Sequence, residues 1–357
     1  MSDMQELITD SARRLLGELS TREAIARMEG GGWDPESWST ITASGFVDVL
    51  VEEAGEAAGD HWSRTYPVLH AIGLKSLPFP LAEALLCRGI AATAGLAGAD
   101  GLVTLAVQDR ELQLELSPNG RLTVDGRLPE VPWARCADHL LVAGRVADQD
   151  VLALVGLRGD HVQLAQGANI AGEPRDDVTL RSAKAVEWIA GSGFATGALL
   201  RHLALVRSAM MVGAAEAALE LAVRYSGERR QFGRALSQFQ AIQQMLAMLA
   251  GEVTAAKTIT RAAFASAQRE PQAFDVAVAK VRAGRVAEAA ASIAHQVHGA
   301  IGFAREHPLH LHTRRLWSWR AEAGAESYWA ECIGREAIAR GGHQFWADLT
   351  ASQTARA

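Results

Sequence analysis

The chain has 357 residues, with 35 Lys plus Arg against 41 Asp plus Glu, for a formal net charge of −6. Apolar residues make up 49% and charged residues 21%. That is enough apolar surface for a large core, which excludes disorder as the main state. The mild acidity argues against duplex DNA as a partner, since that calls for a basic face.

The first residues, MSDMQELITDSARRLL, carry acids where a signal peptide has its apolar core, so a cytoplasmic protein is expected. Residues 1–98 form the first expected domain. Leu7, Ile8, Leu15, Leu16 and Leu19 recur at helical spacing, and breaks fall at Gly30-Gly31-Gly32, Asp34-Pro35 and Pro78-Phe79-Pro80. Several short helices should result. Uncharged stretches such as Gly89 to Ala99 fall short of the roughly 18 residues of a membrane span, so none is expected. Cys87, Cys136 and Cys332 are widely spaced without a CxxC, and read as thiols of a reducing compartment.

Residues 99–195 change texture. Leu102 to Val107 is short and β-rich, and Leu112, Leu114 and Leu116 alternate with polar residues. Pro118-Asn119-Gly120 reads as a turn, and further strands are expected at 140–143, 151–155 and 161–164. Spacing of about ten residues predicts a small antiparallel sheet domain. Residues 196–357 return to helix formers. Long runs at 197–227, 235–268 and 275–299, plus a helix after Gly324, predict an antiparallel four-helix bundle. The fold class is therefore mainly α with one central β domain.

The residues at the bundle ends narrow this further. Tyr225, Arg229, Gln231, Phe232 and Gly233, followed by Leu236, Phe239, Gln240 and Gln243, closely resemble a pattern of the acyl-CoA dehydrogenase family. That pattern is Tyr-x-x-x-Arg-x-Gln-Phe-Gly and then Leu-x-x-Phe-Gln-x-x-Gln. Gln296 to Phe303, with Glu306 and Arg314, is similar to the family's Gln-x-x-Gly-Gly-x-Gly-Phe-x-x-Glu segment, with Ala300 in place of the second glycine. A weaker likeness joins Trp38 to Gly45 and Val51-Glu52-Glu53-Ala54-Gly55 to the family's Leu-x-x-x-Gly and Pro-Glu-Glu-x-Gly-Gly. Two long motifs in order are far more specific than any short pattern alone.

The resemblance implies FAD as cofactor and an acyl-CoA thioester as substrate. Arg229 would pair with the pyrophosphate of an FAD held mainly by a neighbouring subunit, and Phe232 would pack on it. Leu236, Phe239, Gln240, Gln296, Gly299 and Ala300 would complete that edge. On the residues alone, Arg229 could equally be a surface partner of Glu228, and Gly299 an ordinary helix stop.

The reaction needs a carboxylate to take the α-proton while hydride leaves to the flavin. In the family that Glu directly precedes a Gly in the loop after the matched arginine. Aligned on Gly324, the position holds Ala323, with the candidate Glu322 one residue early and Glu326 a poorer choice. The family's other location falls near Leu203, also without a carboxylate. The Thr-Glu-Pro-x-x-Gly-Ser-Asp-like loop that holds the flavin ring has no match between Gly101 and Pro129.

These departures imply a partner. The family includes two-gene heteromeric enzymes, notably actinobacterial ones acting on steroid-derived CoA thioesters. The leading function is thus a subunit of an FAD-dependent acyl-CoA dehydrogenase, in a heterotetramer or homo-oligomer, passing electrons to an acceptor protein. A non-catalytic subunit completing a partner's FAD site and a flavin-dependent monooxygenase are the alternatives. His295, His298, His307, His310 and His312 cluster, but without a cysteine they do not make a metal site. Trp317, Trp319 and Trp329 read as core or interface anchors, and Lys257 with Arg261 as a solvated helix face.

Overall fold

A computed structural model describes residues 3–53, 55–57, 59–107, 112–194, 196–268 and 270–347. Ala54 of the weaker motif and Ala195 at the expected sheet–bundle boundary lie outside the described residues.

The chain opens with five helices: α1 (Asp3–Leu19), α2 (Arg22–Glu29), α3 (Pro35–Ala43), α4 (Asp60–Lys75) and α5 (Leu81–Ala94). Their starts are chemically specified. Thr21 caps α2 by accepting from the Ala24 amide at 3.1 Å, and Asp34 caps α3 by accepting from Ser37, with Pro35 in the first turn.

Seven strands follow: β1 (Val103–Leu105), β2 (Gln113–Leu116), β3 (Leu122–Pro132), β4 (His139–Val146), β5 (Gln149–Gly156), β6 (Val162–Ala165) and β7 (Arg175–Ala190). The sheet order is β1-β4-β5-β7-β3-β2, with β6 also on β7. The expected antiparallel sheet is in fact mixed, because β1 runs parallel to β4. The hairpin of β2 and β3 intervenes between them in sequence, so the chain re-enters beside β1 in the same direction. The two longest strands, β3 and β7, also exceed the expected short ones. Gly126 and Pro129 obscure the β3 pattern, and its pairing with β7 shifts register twice. β7 begins with the charged run Arg175-Asp176-Asp177, which reads as loop.

The last part comprises α6 (Thr196–Glu228), a hairpin of β8 (Arg230–Gln231) and β9 (Arg234–Ala235), then α7 (Gln240–Ser266), α8 (Ala273–His298), α9 (Leu309–Ala321) and α10 (Glu326–Arg340). α9 is a helix more than the sequence pattern predicts. It starts after Pro308 and lies across the sheet–bundle junction that forms the site.

α6 is long and apolar enough to cross a membrane by length and composition, against the expectation from uncharged stretches alone; 89% of its apolar window is buried inside the protein. Its packing against α4 is backbone to backbone. A Cβ on Gly73 would fall 1.8 Å from the Met210 carbonyl oxygen, and one on Gly213 would fall 2.0 Å from that of His70. Only glycine permits that approach. The core that results joins α4, α5 and β1 to α6 and α8.

Candidate functional site

A cavity of about 410 Å³ lies where the sheet meets the bundle. Leu105 and Val107 reach it from the β1 end, Val131 and Pro132 from β3, and Leu200 and Leu203 from α6. Trp317, Ser318 and the loop Glu322-Ala323-Gly324 close it from α9. Both positions at which the family places its base, Ala323 and Leu203, line this one cavity, and both are apolar.

Glu322 is brought to the same place, but its carboxylate is engaged on both oxygens. Oε1 accepts from Arg175 Nε at 2.9 Å and Asn169 Nδ2 at 3.1 Å, and Oε2 accepts from Arg207 Nε at 2.7 Å. Burial pushes its pKa up, but Arg175 and Arg207 outweigh that and hold it at about 2. Arg207 is wholly buried on α6, and its other face pairs with Glu83 of α5. Arg175 also pairs with Glu173 at 3.1 Å, which accepts from Trp319 Nε1 at 3.0 Å. The chain of alternating charges continues from Glu173 to the buried Arg315 at 3.3 Å and on to Glu29 of α2, which Arg314 also pairs at 2.8 Å. Elements from all three parts of the molecule are thus tied through Glu322.

The loop is held as firmly. Ala323 has φ of 53° and Gly324 of 88°, both in the left-handed region. Lys280 of α8, only 1% exposed, donates to the carbonyls of Trp319, Arg320 and Gly324 at 3.3, 2.9 and 2.9 Å. Trp329 Nε1 donates to the Ala323 carbonyl at 2.9 Å. Burial lowers Lys280 to about 8, against the pull of Glu326 and Glu322. The poorer candidate, Glu326, is paired with Arg320. Lys280 is absent from the sequence reading; a lone lysine within a small-residue helix run was the available signal.

The second cluster lies at the far end of α6. Tyr225 stacks on His298 with centroids 4.6 Å apart, which brings the two motif segments to one end of the bundle. There the β8–β9 hairpin turns through Phe232 and Gly233, with φ of 52° and 79°. Phe232 is 90% exposed at its tip, with its ring edge-on to Phe239. Arg229 is exposed and makes no ion pair among the described residues, Glu228 included. Gln240, Gln296, Gly299 and Ala300 are also exposed, while Leu236 and Phe239 are half-buried supports. A Cβ on Gly299 would meet nothing within 4 Å, so the segment presents open backbone.

The two places differ in fit to a flavin nucleotide. The bundle end offers an unpaired guanidinium, an exposed ring and open backbone, which suit a pyrophosphate and its attached chain. The cavity's Arg175 and Asn169 donors are already engaged by Glu322 and Glu173, and its β1 and α6 walls are apolar. Of the clustered histidines, His295 stacks on Phe303, His298 lies tilted against His307, His310 bonds the Arg305 carbonyl and His312 bonds Ser76, and no metal-binding group is present among the described residues.

Residues 190–338 match the family model "Acyl-CoA dehydrogenase, C-terminal domain". The acyl-CoA dehydrogenase IpdE2 of Mycolicibacterium smegmatis is 26% identical over 320 residues, 88% of this chain and 93% of that protein. The ChsE4-ChsE5 complex from Mycobacterium tuberculosis contains a chain of the same fold, with a TM-score of 0.83 at 20% identity, over 96% of this chain and 98% of that one. A glutaryl-CoA dehydrogenase from Mycobacterium smegmatis in complex with FADH2 matches with a TM-score of 0.79 at 14% identity, over 94% and 95% of the two chains.

Proposed function

We propose, for a chain that belongs to the acyl-CoA dehydrogenase family by its C-terminal domain, that it is the flavin-completing subunit of a hetero-oligomeric dehydrogenase. The enzyme class is FAD-dependent acyl-CoA dehydrogenase and the cofactor is FAD. When bound, FAD accepts the β-hydride of an acyl-CoA thioester. In this reading a related partner chain holds the FAD, and Arg229, Phe232, Gln240, Gln296, Gly299 and Ala300 close over its pyrophosphate end.

One observation carries the choice between catalytic and completing subunit. The two base positions, Ala323 and Leu203, carry no carboxylate, and Glu322 spends its charge on Arg175 and Arg207. A general base works best with a pKa near the operating pH, and one held at about 2 has little affinity for a proton. The proton would therefore be taken by the partner, and this chain's cavity would be the structural counterpart of the partner's. The substrate class is an acyl-CoA thioester, the electrons leave to an acceptor protein, and the assembly works in the cytoplasm.

The visible spectrum decides it. Purified alone, the chain should be colourless, whereas co-expressed with its related partner the complex should carry one FAD per pair of chains and bleach with acyl-CoA. A yellow lone chain that bleaches with substrate would refute the assignment.

A further inference from the structure

A second cavity, of about 720 Å³, shares no residue with the first and lies between α1, α4 and α7. Tyr66 lines it. Its ring is fixed edge-on against Phe264 at 5.4 Å, it is 7% exposed, and its hydroxyl has no hydrogen-bond partner among the described residues. A buried hydroxyl without a partner is costly and calls for an explanation.

The cavity's acceptors lie at the exposed rim or are already engaged. Glu216 binds three of the lining residues, and both its oxygens are in use: Arg13 at 3.3 Å on Oε1, and His70 Nε2 at 3.1 Å and Lys257 Nζ at 2.6 Å on Oε2. Arg13 keeps a buried Nε without a partner, and the exposed Arg261 makes no ion pair among the described residues. Burial and the Glu216 charge raise Tyr66, so its hydroxyl is a donor at neutral pH. What remains is a set of unmatched donors: Tyr66 Oη–H, Arg13 Nε–H and the Arg261 guanidinium. Pro67, Phe264 and Ala265 supply an apolar wall, and Glu6 and Asp10 of α1 make the rim acidic. Lys257 and Arg261, which the sequence presents as a solvated face, line a recess instead.

We propose that this cavity is a binding site for a small amphiphilic monocarboxylate, separate from the flavin chemistry. Its carboxylate accepts from Tyr66 and Arg261, and its apolar body lies on Phe264 and Pro67. Acids at the rim disfavour a dianion.

The test is calorimetry on the full-length chain with three ligands sharing one body: naphthalene-2-carboxylate, naphthalene-2-carboxamide and 2-naphthyl phosphate. The carboxylate should bind saturably and on the order of tenfold tighter than either other compound, the scale of a hydrogen bond to a charged group. Tyr66→Phe and Arg261→Gln should each weaken it by a similar factor. Tyr66→Phe should leave thermal stability unchanged or raise it, because the hydroxyl has no partner to lose. The exposed Arg261→Gln variant keeps the test available should Tyr66→Phe not fold. Absence of saturable carboxylate binding, equal or tighter binding of the amide or phosphate, or unchanged affinity in Arg261→Gln would each overturn the proposal.

Discussion

Glu322→Gln separates a clamp from a catalytic base. In the folded chain Glu322 is held at about 2 against an ordinary value of 4.5, a gap that corresponds to about 3 kcal/mol of stability at neutral pH. The same scale follows from removing one partner of a buried ion pair, because Arg207 would keep only Glu83. The sign is fixed by linkage. A carboxylate with a depressed folded pKa contributes its full stability above its unfolded pKa, and loses it as pH falls through the folded one. Urea unfolding of wild type and variant, followed by tryptophan fluorescence, should therefore differ by about 3 kcal/mol at pH 7, by roughly half that near pH 3, and converge below pH 2. Other carboxylates titrate alike in both proteins and cancel in the difference. Turnover of the assembled complex should fall no further than the loss of folded chain explains. A variant within about 0.5 kcal/mol of wild type at pH 7, yet with turnover lowered about a hundredfold, would refute the clamp and make Glu322 the base.

Three other expectations follow from the same geometry. Arg229→Ala should weaken flavin retention by the intact complex on the order of tenfold or more, as expected for a charge-assisted pair with pyrophosphate; unchanged flavin content after dialysis contradicts this. Phe232→Asn should relieve a left-handed backbone at a bulky residue, raising stability by roughly 1 kcal/mol while lowering flavin retention. A loss of stability on denaturant unfolding counts against the strain argument. Lys280 is held at about 8, below its ordinary 10.5, so it carries its charge at a cost while it still donates to three carbonyls. Wild type should accordingly gain stability over Lys280→Met as pH rises from about 8 towards 10.5, since the folded chain releases that proton first. A flat difference across that window would show that burial does not penalise the ammonium.

Much of this organisation is legible in the residues because local chemistry specifies it. The cap at Asp34 with Pro35, and the small-residue runs of α6, α7 and α8, need no long-range information. The motif around Arg229 is legible for a similar reason: its parts lie within one helix end and one hairpin. β3 and β7 are not, because their strand character comes from pairing with each other across bulges that no single-strand periodicity records.

The site shows the same division more sharply. Glu322 can be placed beside Ala323 from sequence, since they are neighbours, but whether it is free to take a proton depends on Arg175 and Arg207, 147 and 115 residues away. The sequence displays Arg207 only as a charge within an apolar helix, and Arg175 as part of a charged loop-like run. Both become decisive because α6 is drawn close against α4 by Gly73 and Gly213, and because Arg175, the first residue of β7, reaches Glu322 at the end of α9. A carboxylate's chemistry is set by its partners, and here those partners are assembled by the fold from three separate parts of the chain. That is why a position one residue from the family's base holds a structural charge in the reading favoured here. A bulk-sparing change at Arg207, such as Arg207→Met, should therefore free Glu322 towards an ordinary carboxylate pKa. It should do so without restoring turnover to the lone chain, because Arg175 and Asn169 stay bonded to Glu173 and Glu322 and are not free to hold a flavin ring. Proton-detected titration of Glu322 in that variant, set beside its flavin content, tests both halves of the statement. A yellow, active Arg207→Met chain would show that the clamp alone had silenced the site.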